Sequence, residues 1–224
     1  YHMIVSITNK HRRQAVISWI IAMTLAILIK FNVILPAMLD NSIHRWFANI
    51  QTGYGDVVMA IATFLGNPVV DVVYILILAG ILIIAKLHIP AIWTIATIIS
   101  GDVFLALIRI IVGRTRPVGH LLADSSSSFP STHVFGLFIV IFIIAILVTP
   151  NINSTYTQVL INWISITIGL MTMLSRIYFN AHFFSDTVAA VLFAYSWVIL
   201  SASLYPKLAI FLQNHIALLK HDEI

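Results

Sequence analysis

Residues 89–112 read IPAIWTIATIISGDVFLALIRIIV, 24 positions in which Asp102 and Arg109 are the only charges. A helix needs about 20 predominantly apolar residues to cross the hydrocarbon core of a bilayer. This stretch is long enough, so it points to a membrane protein. Working outward, similar runs occur at 15–39, 69–85, 134–149, 159–174 and 185–204. The first is interrupted only by Lys30 and Asn32, and those at 134 and 159 are short enough to recruit flanking residues. Composition agrees: 60% of the chain is hydrophobic and 9% charged, against roughly 25% charged in a soluble domain. A water-soluble enzyme and a disordered tail are both excluded. The expected fold is an all-α integral membrane protein with six transmembrane helices, residues 1–224 forming a single domain.

Between the first two spans lies a mixed segment, 40–66. Ile43, Trp46, Phe47 and Ile50 recur there at helical spacing. This predicts an amphipathic helix on the membrane surface, with Trp46 and Tyr54 at headgroup level. Residues 57–65 are too short to span and read as a re-entrant or packed helix. The basic Lys10, Arg12 and Arg13 precede an apolar stretch too long for a secretory signal core.

Twelve Lys and Arg oppose eight Asp and Glu, a net charge of +4. The longest basic run is Arg12-Arg13, so no nucleic-acid partner is expected. The absence of cysteine excludes disulfides, Cys-ligated zinc and thiol catalysis. With the N-terminus inside, six crossings put Lys10, Arg12, Arg13, Lys86, Lys207 and Lys220 in the cytoplasm. Arg45, Arg109, Arg114, Arg116 and Arg176 then lie outside. Four of those five sit in two short segments that read as functional. Without them the bias favours both termini inside.

Three polar islands interrupt the apolar chain: Arg109-x6-Arg116-Pro117, Pro130-Ser131-Thr132-His133, and Ser175-Arg176-x5-His182-x3-Asp186. The spans alternate in direction, so all three islands fall on one membrane face. Three arginines supply permanently charged planar forks for phosphoryl oxygens. Ser131 and Thr132 sit where a helix begins, and the free N–H groups and the dipole there favour an anion. Two histidines offer a nucleophile and a proton donor. On a helix His182 and Asp186 share a face; the carboxylate can hold one imidazole nitrogen protonated and leave the other free to attack. The acidic residues are too few and dispersed for a two-metal site, so neither metal nor cofactor is expected. Singly, each element has a plainer role: a snorkelling arginine, a helix cap, a helix-stabilising pair. Their coincidence on one face is what favours function. Lys30, Asp71 and Asp102 are expected to make interhelical hydrogen bonds, and Arg114 and His120 are candidates to touch the headgroup.

These islands resemble the three signature motifs of the type 2 phosphatidic acid phosphatase superfamily, Lys-x6-Arg-Pro, Pro-Ser-Gly-His and Ser-Arg-x5-His-x3-Asp. The resemblance implies that His182 is the nucleophile that becomes phosphorylated, oriented by Asp186. It makes His133 the general acid, and gives the phosphate to Arg109, Arg116, Ser131, Thr132 and Arg176. The implied reaction is metal-independent hydrolysis of a phosphomonoester or diphosphate on a membrane lipid: undecaprenyl diphosphate, phosphatidylglycerol phosphate or phosphatidic acid. The implied setting is a bacterial cytoplasmic membrane with the site outward. A lipid phosphotransferase and a non-catalytic lipid-binding or transport protein are the alternatives. Two positions depart from the pattern. Arg109 replaces Lys, exchanging a point charge for a fork. Thr132 replaces Gly, putting a β-branched side chain where a positive φ would be strained.

Overall fold

The computed structural model describes residues 4, 5, 7–119, 126–216 and 219. Among them the chain is helical and has no strand. Eight α-helices follow in order: α1 Asn9–Lys30, α2 Ile34–Ala48, α3 Gly53–Leu65, α4 Pro68–Ile84, α5 His88–Val112, α6 Thr132–Ile143, α7 Thr155–Tyr178 and α8 Phe184–His215. Past α6 a π-helical turn, Ile144–Val148, and a 3₁₀ turn, Thr149–Asn151, carry the same span onward. Among the described residues, five helical stretches are long and apolar enough to cross a bilayer. The pair α3 and α4, bent by 49° at the Gly66-Asn67 break, passes as a sixth. Asn67 makes the break: its Oδ1 accepts the Val69 N–H at 2.9 Å and Pro68 takes the first helical position.

The expected first span, 15–39, is in fact two helices. α1 stops at Lys30, and Asn32 takes a left-handed backbone (φ 53°). Asparagine is one of the few residues besides glycine that adopt this conformation routinely. The Lys30 ammonium donates to the Ile111 carbonyl, fastening the end of α1 to the end of α5. The segment 40–66 holds the end of α2 and all of α3, parted by Asn49–Thr52, so residues 57–65 fall in a helix of their own as expected. α3 is tied to α7: Tyr178 donates to Asp56 at 2.7 Å, and Thr172 donates to the Ala62 carbonyl at 2.9 Å.

α6 is the core. Nine of its twelve residues are buried, and α4, α5, α7 and α8 pack around it. α1 lies along α8 through Ala15, Ala22 and Ala26, small residues that let the two backbones approach. Ser196 of α8 donates to the Ala15 carbonyl at 3.0 Å, and Trp197 to the Thr97 carbonyl of α5 at 3.2 Å. Gly169 of α7 is a tight point: a Cβ there would stand 2.8 Å from Phe138 Cζ and 3.0 Å from Ile141 Cδ1. Gly169→Val should therefore cost about 1–3 kcal/mol through overpacking. The check is the thermal midpoint in detergent, which should fall; an unchanged midpoint contradicts this packing.

Candidate active site

The site is assembled where α5 ends, α6 begins, α7 ends and α8 begins. Gly113, at φ 65°, turns the chain out of α5. The first island then runs beside Ser126, Ser127 and Ser128. Ser128 N–H donates to the Arg114 carbonyl at 2.8 Å, Arg114 N–H to Ser127 Oγ at 3.1 Å, and Ser128 Oγ to the Thr115 carbonyl at 3.1 Å. Arg109 donates to the Pro130 carbonyl and to Ser126 Oγ, both at 2.8 Å. Arg116 reaches the same Ser126 Oγ at 3.2 Å and the Ala181 carbonyl at 2.9 Å. Arg109 and Arg116 thus meet over one serine.

Ser131 caps α6 and is fully buried; its Oγ bonds no protein group among the described residues. The first-turn N–H groups of α6 have no intrahelical carbonyl to bond. Thr132 opens the helix with ordinary helical backbone; among the described residues the non-glycine positions at positive φ are Asn32, Lys86 and Asn180. A threonine is therefore unstrained there. Next to it is His133, whose Nδ1 bonds no protein group among the described residues. The charges of Arg176, Arg116 and Arg109 act on this imidazole, and His182 lies near it, so the three islands converge. A cavity of about 440 Å³ adjoins Arg109 and Thr132, with Asp71, Asp102, Leu105 and Gly136 among its walls.

α7 delivers Arg176 and then ends. Asn180 turns left-handed (φ 55°), and the Arg176 carbonyl accepts the Ala181 and His182 N–H groups at 3.0 and 3.2 Å. His182 lies before α8, not on it, which corrects the expectation of a shared helical face with Asp186. His182 is buried, and its Nδ1 stands 2.7 Å from the Ser128 carbonyl. A carbonyl can only accept, so Nδ1 carries the proton and Nε2 keeps its lone pair. Nε2 faces Arg116 Nη1, which donates to it at 3.4 Å. Asp186 Oδ2 is 3.7 Å from Nδ1, outside hydrogen-bond range. The Ser128 carbonyl, and not the expected carboxylate, fixes the imidazole. Asp186 Oδ2 is used instead by the Phe183 N–H at 2.9 Å, in the first turn of α8.

Burial holds the His182 pKa below the ordinary histidine range. Asp186 opposes that shift, and the charges of Arg176 and Arg116 add to it. The result is a neutral imidazole with a defined tautomer.

Sequence reasoning did not find Asp40. It is buried on α2 and accepts from Arg114 Nη2 at 2.7 Å, Ser185 N–H at 2.9 Å and Ser185 Oγ at 2.6 Å. Arg114 Nη1 meanwhile donates to Asp186 Oδ1 at 2.5 Å, and its guanidinium lies over the Phe183 ring. Arg114 is thus turned toward carboxylates and not toward a headgroup; His120 lies outside the described residues. An aspartate at the end of an apolar run was the available signal. Asp71 does not make the expected interhelical bond: both its oxygens lack a partner among the described residues, because it faces Gly136, which has no side chain to offer.

Among the described residues no three His, Asp or Glu side chains gather as a metal site. Guanidinium groups, a helix N-terminus and imidazoles form instead a set of donors suited to an oxyanion.

Comparison with known proteins accords with this arrangement. The PAP2 superfamily profile matches residues 68–210, the stretch holding all three islands, and the chain belongs to that family. Its fold is that of a solved relative, the transmembrane PAP2 type phosphatidylglycerolphosphate phosphatase from Bacillus subtilis. The two superpose with a TM-score of 0.74 over 87% of this chain and 96% of that one, at 20% sequence identity. No curated protein matches the chain.

Proposed function

We propose that this integral membrane protein hydrolyses a phosphomonoester or diphosphate on a membrane lipid, without a metal ion, through a phosphohistidine on His182. The setting of His182 carries the reading: a buried, neutral imidazole with Nδ1 on the Ser128 carbonyl and Nε2 turned toward Arg116. Nε2 attacks phosphorus in line. The phosphorus–oxygen bond to the leaving group breaks while His133 gives that oxygen a proton. His133 then removes a proton from water, which attacks the phosphohistidine and frees phosphate. Arg109, Arg116, Arg176 and the N-terminus of α6 at Ser131 and Thr132 neutralise the equatorial oxygens throughout. Asp186 sustains positive charge on His182.

The substrate is a lipid because the site lies at the ends of spanning helices. Undecaprenyl diphosphate, phosphatidylglycerol phosphate and phosphatidic acid are the substrate classes proposed, the second also acted on by the structural relative. The charge bias supports a site on the outer face of a bacterial cytoplasmic membrane, with both termini inside.

The test is release of inorganic phosphate by the purified protein from these three lipids, with and without excess chelator. Release should occur and persist in chelator. Loss on chelation with rescue by magnesium overturns the metal-independent reading. Transfer of the phosphoryl group to an added alcohol without phosphate release indicates a phosphotransferase, and binding without turnover a non-catalytic protein.

A further inference from the structure

Asp40 lies on α2, outside the stretch matched by the family profile, yet two hydrogen bonds from Ser185 hold it against the first turn of α8 and a third comes from Arg114. A carboxylate serving only to tie α2 to α8 would need no more than the Ser185 N–H. Asp40 also takes Ser185 Oγ and one arm of Arg114. The other arm of that guanidinium holds Asp186, the neighbour of Ser185 and the carboxylate nearest His182. One cation therefore stands between two buried carboxylates, and its pull on each depends on the other.

We propose that Asp40 is a positioning residue of the phosphatase site: through Ser185 and Arg114 it fixes Asp186 and sets how much negative charge Asp186 presents to His182. This rests on the phosphatase reading above. The groups facing His182 are Asp186 of α8, Arg176 of α7, Arg116 of the α5–α6 connection and His133 of α6. Those facing Asp40 are Arg114 and Ser185. With Asp40 uncharged, Arg114 is concentrated on Asp186, and the negative charge that sustains protonated His182 is offset more fully. The His182 pKa then falls. Neutral His182 is the attacking form, so the acid limb of the pH–rate profile moves to lower pH.

Asp40→Asn keeps the shape and one acceptor and removes the charge. Its kcat should fall on the order of 10- to 100-fold, the cost of a displaced catalytic group, with KM within about threefold. The acid limb should move down; Asp40→Glu, which keeps the charge, should leave the limb at its parent position. The double variant with Arg114→Gln should lose little more kcat than Arg114→Gln alone, because both act on one interaction. A folded Asp40→Asn with parental kcat and acid limb overturns the proposal, as do losses that multiply in full in the double variant. If Asp40→Asn does not fold, Ser185→Ala decides: it removes the hydroxyl's bonds to Asp40 and from Arg114, a kcat reduced by about threefold or more is expected from their loss, and a parental kcat overturns the proposal. A parent protein that releases no phosphate from any lipid sinks the phosphatase reading and this proposal together. An active parent with unchanged variants sinks this proposal alone.

Discussion

With glutamine in place of His182, phosphate release from every lipid substrate falls to background, a loss of about 10⁴-fold or more. Glutamine matches the imidazole in size but has no nitrogen lone pair able to attack phosphorus. The acid-labile phosphate trapped from a quenched reaction of the parent should map to His182 and disappear in the variant. The pH dependence has a fixed sign. Burial lowers the His182 pKa, so the neutral, attacking form persists below the ordinary histidine value of about 6.5. The acid limb of kcat/KM should therefore lie below that value, and activity should be lost as pH falls through it. Trapped phosphate on His133, or near-parental turnover by His182→Gln, overturns the assignment.

His133→Ala should divide substrates by their leaving group. A lipid alkoxide is a strong base and needs a proton as the phosphorus–oxygen bond breaks; a nitrophenolate needs little help. General acid catalysis contributes about 10²–10⁴-fold. Phosphoenzyme formation by His133→Ala should thus fall by that order with a lipid phosphate and much less with a nitrophenyl ester. The measurement is the rate of phosphohistidine formation with each substrate on rapid mixing. Equal losses with both would remove His133 from the proton-transfer role and leave it as a phosphate contact.

The spans were legible because hydrocarbon imposes one rule, a long apolar run, that few other structures satisfy. The stretch 69–85 was read to within a residue of α4, Pro68–Ile84. The break inside 15–39 was not legible, because the run stays apolar through it. Lys30 and Asn32 mark it, and single polar residues in an apolar run read equally well as tolerated ones. The islands were legible because strings of arginine, serine and histidine at span ends are rare, and alternation of the spans gathers them on one face. Their internal wiring was not. The partner of His182 is a backbone carbonyl, that of Ser128, and every residue has one. The position of His182 ahead of α8 undid the helical-face argument for Asp186, since four residues of separation imply a shared face only inside a helix. Asp40 escaped notice because its partners lie 74 and 145 positions away.

The length of α8 has a mechanical consequence. Its 32 residues measure about 48 Å at 1.5 Å per residue, against a hydrocarbon core of roughly 30 Å. Even at about 40°, the upper end of the tilt range, the helix still projects some 37 Å along the membrane normal. The surplus has to emerge from the hydrocarbon. The first turn is moored by Ser185 and Asp186 to Asp40 and Arg114, so the overhang belongs to the far end, past Pro206, with Lys207 and His215. A change in bilayer thickness is then met at that far end, while the moored first turn keeps its place against Asp40 and Arg114.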